Sequence, residues 1–410
     1  MAARGGGSFW AELTPSEASF VRKCRAIEVL FKAGVVTMWA SWQQSYIDLF
    51  GGDSGAMAVH YGVTRTVMAI VTIVTEPFVS ALSDTLGRKH LMTWGRAGIV
   101  LFFAAHKFRD RSPAHRMFME VFCWGVVQAG VWPVFAAAHS DLFGSRPELS
   151  SRIQAADGLW TNVIGAAGGV LTMAVNRAFG PTAGQEFCAL TQVVSIVILQ
   201  TIPETLAKAE RKRFRIGEFL RRTNPFSNAL LLFTKGPGLR RLSLSTLLFF
   251  CCNEVWATQT AFRMGVLNWV PMTISHFTSA YDLFGVVSQG TFGNRLLARM
   301  GNRASMEVGA LVSLVSYALQ GLCMLPSGQA GQRTNIQYAI AISLLQTIPL
   351  SMKYASRAMV VKQGMVVYEG KVGRGQLNAA YSGLGTLCSI FANLLWGSAC
   401  KRKDITESRI

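Results

Sequence analysis

Six windows of this chain contain no Asp, Glu, Lys or Arg: Val121–Ser140, Gly158–Asn176, Phe187–Pro203, Val308–Gln332, Thr334–Met352 and Gly375–Cys400. A run of roughly 18 or more such residues is long enough, as a helix, to cross the ~30 Å hydrocarbon core of a bilayer. One window of this kind might sit buried in a soluble domain, but six in 410 residues have no soluble core large enough to hide them. Soluble chains carry about 25% charged residues, whereas this one carries 15%, with 50% hydrophobic. The chain reads as all-α: a polytopic, multi-pass membrane bundle.

Eleven spans are expected, at about 26–47, 56–83, 91–106, 117–139, 152–176, 185–203, 243–262, 277–298, 305–326, 336–354 and 377–398. Six precede the polar stretch Glu204–Arg241, which separates an N-terminal half (1–203) from a C-terminal half (242–410), with 204–241 as the central loop. Its end, NPFSNALLLFTKGPGLRRL, carries Pro225, Gly236, Pro237 and Gly238 as breakers. Before them it predicts a short surface helix with Phe226, Leu230 and Phe233 turned to the membrane. Lys and Arg concentrate in the loops that are cytoplasmic if the amino terminus and central loop are inside, as the positive-inside rule requires. Lys32, Arg65, Arg96, Arg263 and Lys353 fall within or at the edge of spans.

The net charge of +18 does not read as a nucleic-acid footprint, because the basic residues lie in short loops between apolar windows. Most of the eight cysteines sit inside those windows, with no C-x-x-C pair and no metal-like histidine spacing, so they read as small apolar fillers. No cofactor or metal is implied. Neither G-x-x-x-x-G-K-[ST], H-E-x-x-H nor G-x-S-x-G occurs, which argues against an enzyme and against an ATP-driven pump. The first 20 residues lack an apolar signal core, so targeting rests on the first span.

The loop after span 2 reads SALSDTLGRKHLM and the loop after span 8 reads NRLLARMGNRASM; aligning Gly87 with Gly301 carries span 1 onto span 7. Two pseudo-symmetric halves around a midplane cavity is a transporter architecture. Ser80–Lys89 resembles the signature between spans 2 and 3 of the major facilitator superfamily. Asp84, Gly87, Arg88 and Lys89 match it, while Ser80 and Thr85 depart from it. Gly87 suits the positive-φ turn that ends a helix, and Arg88 and Lys89 suit an anionic interface. The resemblance implies that Asp84 and Arg88 pair with an acid closing span 4, where Asp141 stands. It looks nearest the drug/proton-antiporter and tetracycline-efflux-like branch, on the NPFS segment and on GVVSQGTFGNRLLARMGNR in span 8. Span 4 lacks the arginine of proton-coupled members, and the antiporter signature of span 5 is reduced to Ile164–Gly169 without proline. The family's twelfth span is missing after CKRKDITESRI, so the carboxyl end is expected to be incomplete.

Ionisable groups at membrane depth are costly and therefore candidates for function. Glu28 and Lys32 share a face of span 1 and either neutralise each other or couple transport. Glu254, in CCNEVWATQ on span 7, has no partner at four residues' distance, and Glu76 lies about two turns from Asp84. Gln43, Gln128, Asn162, Gln289, Gln346 and Trp160 are candidate cavity-lining residues. The functional reading is a secondary active transporter. It moves a small solute by alternating access, coupled to a proton or another gradient, and works as a monomer in an unspecified membrane. The rival reading is a transporter-like receptor or membrane assembly partner that moves nothing. Glu254→Gln is expected to abolish pH dependence of transport while leaving substrate binding measurable; uptake and binding assayed across a pH series check this.

Overall fold

The computed structural model describes residues 9–51, 54–109, 112–180, 183–208, 211, 225–253, 269, 271–288, 294–323, 337–338, 340–342, 348–369, 372, 374 and 376–390. Helix α1 (Pro15–Leu49) is followed by α2 (Ser54–Leu86), α3 (Arg88–Arg109), α4 (Pro113–Glu120), α5 (Val131–Phe143), α6 (Pro147–Ala166), α7 (Gly168–Phe179) and α8 (Ala183–Gln200). The second half contributes α9 (Pro225–Thr234), α10 (Pro237–Asn253), α11 (Pro271–Ser288), α12 (Asn294–Cys323), α13 (Ile348–Val367) and α14 over 376–390.

Proline starts many of these helices, because its fixed φ suits the first turn and its missing N–H costs nothing there. Pro15, Pro113, Pro147, Pro225, Pro237 and Pro271 all stand at helix starts. Helix α1 adds a capping box: the Thr14 amide donates to Glu17 Oε2 at 2.8 Å, and the Glu17 amide donates to Thr14 Oγ1 at 3.3 Å. Ser112 caps α4 by accepting from the His115 amide at 3.2 Å.

Two expected spans are interrupted. Span 4 is built from α4, a π-helical turn over Val121–Val127 and α5, and the Gln128 amide reaches the Cys123 carbonyl at 3.0 Å. Span 5 bends by 48° between α6 and α7, within the proline-free Ile164–Gly169. The glycines let neighbours in at the bend. A Cβ on Gly168 would lie 3.0 Å from Val36 Cβ, and one on Gly165 would collide with the Asp282 carboxylate and come within 2.7 Å of Lys32 Cε.

The surface is apolar where a soluble protein's would be polar. Val59, Val63, Ile70, Val74 and Phe78 run exposed along α2, and Leu190, Val193, Val194 and Val197 along α8. Inside, Arg88, Arg96, Arg116, Glu76, Glu120 and Asp157 are buried. Lipid solvates the first set, and protein must solvate the second. By length and apolarity Val59–Leu86, Pro113–Phe143 and Ala183–Gln200 qualify as spans, and the bent pair in α6–α7 together makes another. Among the other described helices, α1 and α3 carry several charges, and α9 and α10 have only 10 and 17 residues.

Helix α1 is the axle of the first half, packing on α6, α7 and α8 and reaching α11. Core clusters fill the first half near the α2–α3 turn (Phe20, Ile27, Phe143, Ile153) and the second half (Leu232, Phe250, Met352, Leu384). A third, Met38, Trp42, Tyr46, Phe102, Trp269, Ile274 and Tyr338, draws on both halves at the opposite end.

The aligned glycines behave alike: Gly87 has φ 106° and Gly301 φ 74°, so the repeat preserves the turn. Two expectations are corrected. Span 10 was expected to end near residue 354, yet α13 continues to Val367; Arg357, outside that expected span, is a cavity residue instead. Arg116, outside the expected span 4, is fully buried in α4. The physical reason is shared: charge turned inward ends a hydropathy window as surely as charge in water does. In α9 Leu232 is buried, while Leu230 is 55% exposed. The tail 391–410 and the question of a twelfth span lie outside the described residues.

Packing at the α1–α8 crossing yields a stability test. A Cβ at Gly34 would approach Cys188 Cα and Sγ at 3.0 Å and strike Thr191 Oγ1, whereas nothing lies within 4 Å of one at Gly62. Gly34→Leu is expected to cost about 1–3 kcal/mol through overpacking and Gly62→Leu far less; melting temperatures of the two purified variants check it.

Candidate functional site

A cavity of about 690 Å³ lies between the halves. The first half lines it with Glu28 and Lys32 from α1, Arg65, Thr72 and Glu76 from α2, Trp132, Phe135 and His139 from α5, and Gln154, Asp157 and Thr161 from α6. Phe250, Lys353, Arg357, Tyr381, Ser382 and Ser389 line it from the second half. The α6 residues recur at helical spacing, so one face of that helix forms the wall. Pro77 follows Glu76 inside α2 and withholds an amide from the carbonyl of Ile73, loosening the helix beside the cavity.

Charges in the wall are answered by specific partners. Lys32 Nζ lies 2.9 Å from Asp282 Oδ2 of α11, an ion pair joining the halves. Arg25 Nε lies 2.6 Å from Asp157 Oδ1. Glu28 does not pair with Lys32; the charges acting on it are those of Asp157, Arg96, Arg25 and Arg357. Glu76 Oε1 accepts from Ser382 Oγ at 3.1 Å, again across the halves. The Gly169 amide donates to Ser279 Oγ at 2.9 Å, a third link. Arg96 is fully buried behind the wall, 4.6 Å over the Phe31 ring and 5.7 Å from that of Trp132.

The second cluster lies at the turn between α2 and α3. Arg88 pairs with Asp84 at 2.6 Å and with Asp141 at 3.1 Å, and donates to Ser83 Oγ at 2.5 Å. Thr205 Oγ1 donates to the same Asp141 oxygen at 3.3 Å. Glu204 closes the first turn of α3 from far along the chain, accepting from the amides of Arg88 at 2.9 Å and Lys89 at 3.3 Å. A carboxylate there satisfies orphan N–H groups and meets the positive end of the helix dipole. Gly87 is required twice over, by its positive φ and because a Cβ would lie 2.9 Å from Glu204 Cδ. Lys89 Nζ donates to the Gln200 carbonyl at 2.6 Å, capping the last turn of α8. Arg374 reaches over from the second half to donate to the Ser140 carbonyl at 2.6 Å, one residue before Asp141.

Of the sequence-derived candidates, the structure brings Asp84, Gly87, Arg88, Lys89 and Asp141 into this one cluster, and Glu28, Lys32 and Glu76 onto the cavity wall. Three proposed lining residues belong elsewhere. Trp160 and Asn162 lie off the α6 face that Gln154, Asp157 and Thr161 define, and Trp160 is 48% exposed on the outside. Gln128 is buried in the irregular turn that ends the π-helix and does not line the cavity. Glu254, Gln289, Gln346 and the side chain of Gln43 lie outside the described residues. Missed were Asp157, Asp282, Arg357 and the capping role of Glu204, while Lys353 was placed within or at the edge of a span without a role. Asp282 left a signal, an acid within an expected span, as did Asp157, the last charge before the window Gly158–Asn176.

The sequence model of the Major Facilitator Superfamily matches residues 36–393, and the chain belongs to that family. No curated protein matches it. Among solved structures, the human organic anion transporter MFSD10 is similar at 17% identity and a TM-score of 0.66, over 95% of this chain and 96% of that one. The proton:xylose symporter XylE is similar at 12% identity and 0.64, over 94% and 89%. The nucleoside transporter NupG follows at 10% and 0.58, over 92% and 90%. The chain is thus an integral, multi-pass membrane protein and a secondary transporter of a small molecule, not an enzyme.

The Arg88 cluster separates a kinetic from a structural effect. Asp84→Asn leaves Asp141 to hold the guanidinium and is expected to slow uptake several-fold with folding intact. Arg88→Ala strands two buried carboxylates, which costs about 3–5 kcal/mol. Melting curves and initial uptake rates of both variants check the contrast.

Proposed function

We propose that the chain works as a monomer by alternating access, with the cavity as its transport site and coupling to a proton or another gradient. The observation that carries this is the Lys32–Asp282 pair, which joins the halves at the cavity wall. Rocking one half against the other must part this pair, together with the Glu76–Ser382 and Gly169–Ser279 hydrogen bonds. Arg374 on the Ser140 carbonyl acts as the cytoplasmic latch, seated on the Asp84–Arg88–Asp141 cluster. Glu28 and Asp157 serve as the coupling carboxylates, because proton uptake by either changes its balance with Arg25 and Arg96. The bend retained in Ile164–Gly169 without proline, and the NPFS and span 8 segments, favour the drug/proton-antiporter branch.

A ligand-induced thermal-shift screen supplies a solute, and proteoliposomes then test its flux. Gradient-driven uptake is expected in the native chain. Lys32→Gln and Asp282→Asn each lower it about ten-fold or more, since removing one partner of a buried pair costs about 3–5 kcal/mol. The exchange Lys32→Asp with Asp282→Lys recovers part of the loss. A folded chain that binds its solute yet shows no flux under any gradient makes it a receptor instead.

A further inference from the structure

The charges facing the cavity, taken one at a time, leave a single ammonium unanswered among the described residues. Lys32 has Asp282 and Asp157 has Arg25. Arg65 lies 4.8 Å over the Tyr61 ring and in the field of Glu120. Arg357 donates from Nε to Asn378 Oδ1 at 3.0 Å and lies 5.8 Å over the Tyr381 ring. Lys353, one turn before Arg357 on α13, lines the cavity with its side chain exposed. Its carbonyl accepts from Ser356 and Tyr381, but its ammonium makes neither an ion pair nor a hydrogen bond. None of the wall acids is paired with it: Glu76 accepts from Ser382, Asp157 is held by Arg25, and Glu28 lies in the field of Arg96 and Arg25. An ammonium at this depth is costly to leave alone, so Lys353 is the cation among the described wall residues open to an entering anion.

The other half supplies a surface of different chemistry. Trp132 lines the same cavity and keeps 42% of its surface exposed. Its ring meets Phe31 edge-on at 5.5 Å between centroids, and Arg96 is packed behind the pair. An exposed indole fixed from behind is suited to a flat apolar body.

We propose that the solute is an organic anion with an aromatic or flat apolar body, its negative group on Lys353 with Arg357 beside it and its body against Trp132. The inference rests on the cavity being the transport site. The two contacts come from opposite halves, so such a solute bridges them and has a stake in their closing together.

Four matched probes test it on the purified full chain by thermal shift and titration calorimetry: 2-naphthoate, naphthalene-2-sulfonate, neutral 2-naphthamide and the 2-naphthyltrimethylammonium cation. Both anions are expected to bind about ten-fold or more tighter than the amide, the size of a charge-assisted hydrogen bond. Lys353→Gln erases that preference, Lys353→Glu turns it toward the cation, and Lys353→Arg keeps it. Equal or tighter binding of the amide or cation by the native chain overturns the inference, as does an anion preference that survives Lys353→Gln, or no binding by any probe. Where the amide or cation binds best and Trp132→Ala abolishes that binding, the cavity reading stands and only the polarity falls. Binding indifferent to both Lys353→Gln and Trp132→Ala removes the cavity reading as well.

Discussion

Within a bilayer no water is available to solvate a charge, so each buried ionisable group needs a partner inside the protein. In this chain those partners come from far along the sequence, and the pairs define how the helices sit. Arg88 draws Asp84 and Asp141 together at the ends of α2 and α5. Arg25 ties α1 to α6 through Asp157, and Lys32 ties α1 to the second half through Asp282. Helix association in lipid gains little from the hydrophobic effect, and close packing of small residues has to supply the rest. The two requirements meet at Gly165, where the lack of a side chain makes room for the Lys32–Asp282 pair.

This coupling of charge to small residues explains why span 5 bends without a proline. A kink needs a cause, and glycine clusters are one. At the α6–α7 junction the glycines face α1 and α11, and the Gly169 amide at the start of α7 is satisfied by Ser279 across the halves. The bend is held by the opposing half as much as by its own sequence. An element of that kind changes shape when the halves separate, which a stiff proline kink would resist.

Much of the fold was legible because the bilayer imposes one strong rule, and the charge-free windows obey it. The turn at Gly87 was equally legible, since glycine before two basic residues has few other uses there, and its echo at Gly301 followed from the repeat. What stayed hidden were pairs formed between distant segments. Glu28 and Lys32 look like partners at four residues' spacing, yet each answers to a group far away in sequence. Arg116 and Arg357 look like loop residues, because a hydropathy window cannot tell a cation facing water from one packed on aromatic rings; Arg116 sits 4.0 Å over both Trp42 and Tyr46. Gln128 and Asn162 do not line the cavity. Their amides can be satisfied between helices anywhere, whereas the acids and bases must gather where polar partners or water exist.

The two clusters also differ in how they use burial. At the α2–α3 turn one guanidinium holds two carboxylates, while Glu204 and Lys89 cap the ends of α3 and α8; every group has its answer within the first half or the start of the central loop. This makes a rigid platform, and the movable contact is laid on top of it, from Arg374 to the Ser140 carbonyl. Around the cavity Lys32–Asp282 and Glu76–Ser382 cross from one half to the other, and in the proposed cycle they are broken and remade as the halves move. A charged pair that spans the moving interface opposes separation unless something else compensates its members. In the proposed cycle a solute or proton entering the cavity provides that compensation, and in that way the ion pair that joins the halves makes their separation conditional on cargo.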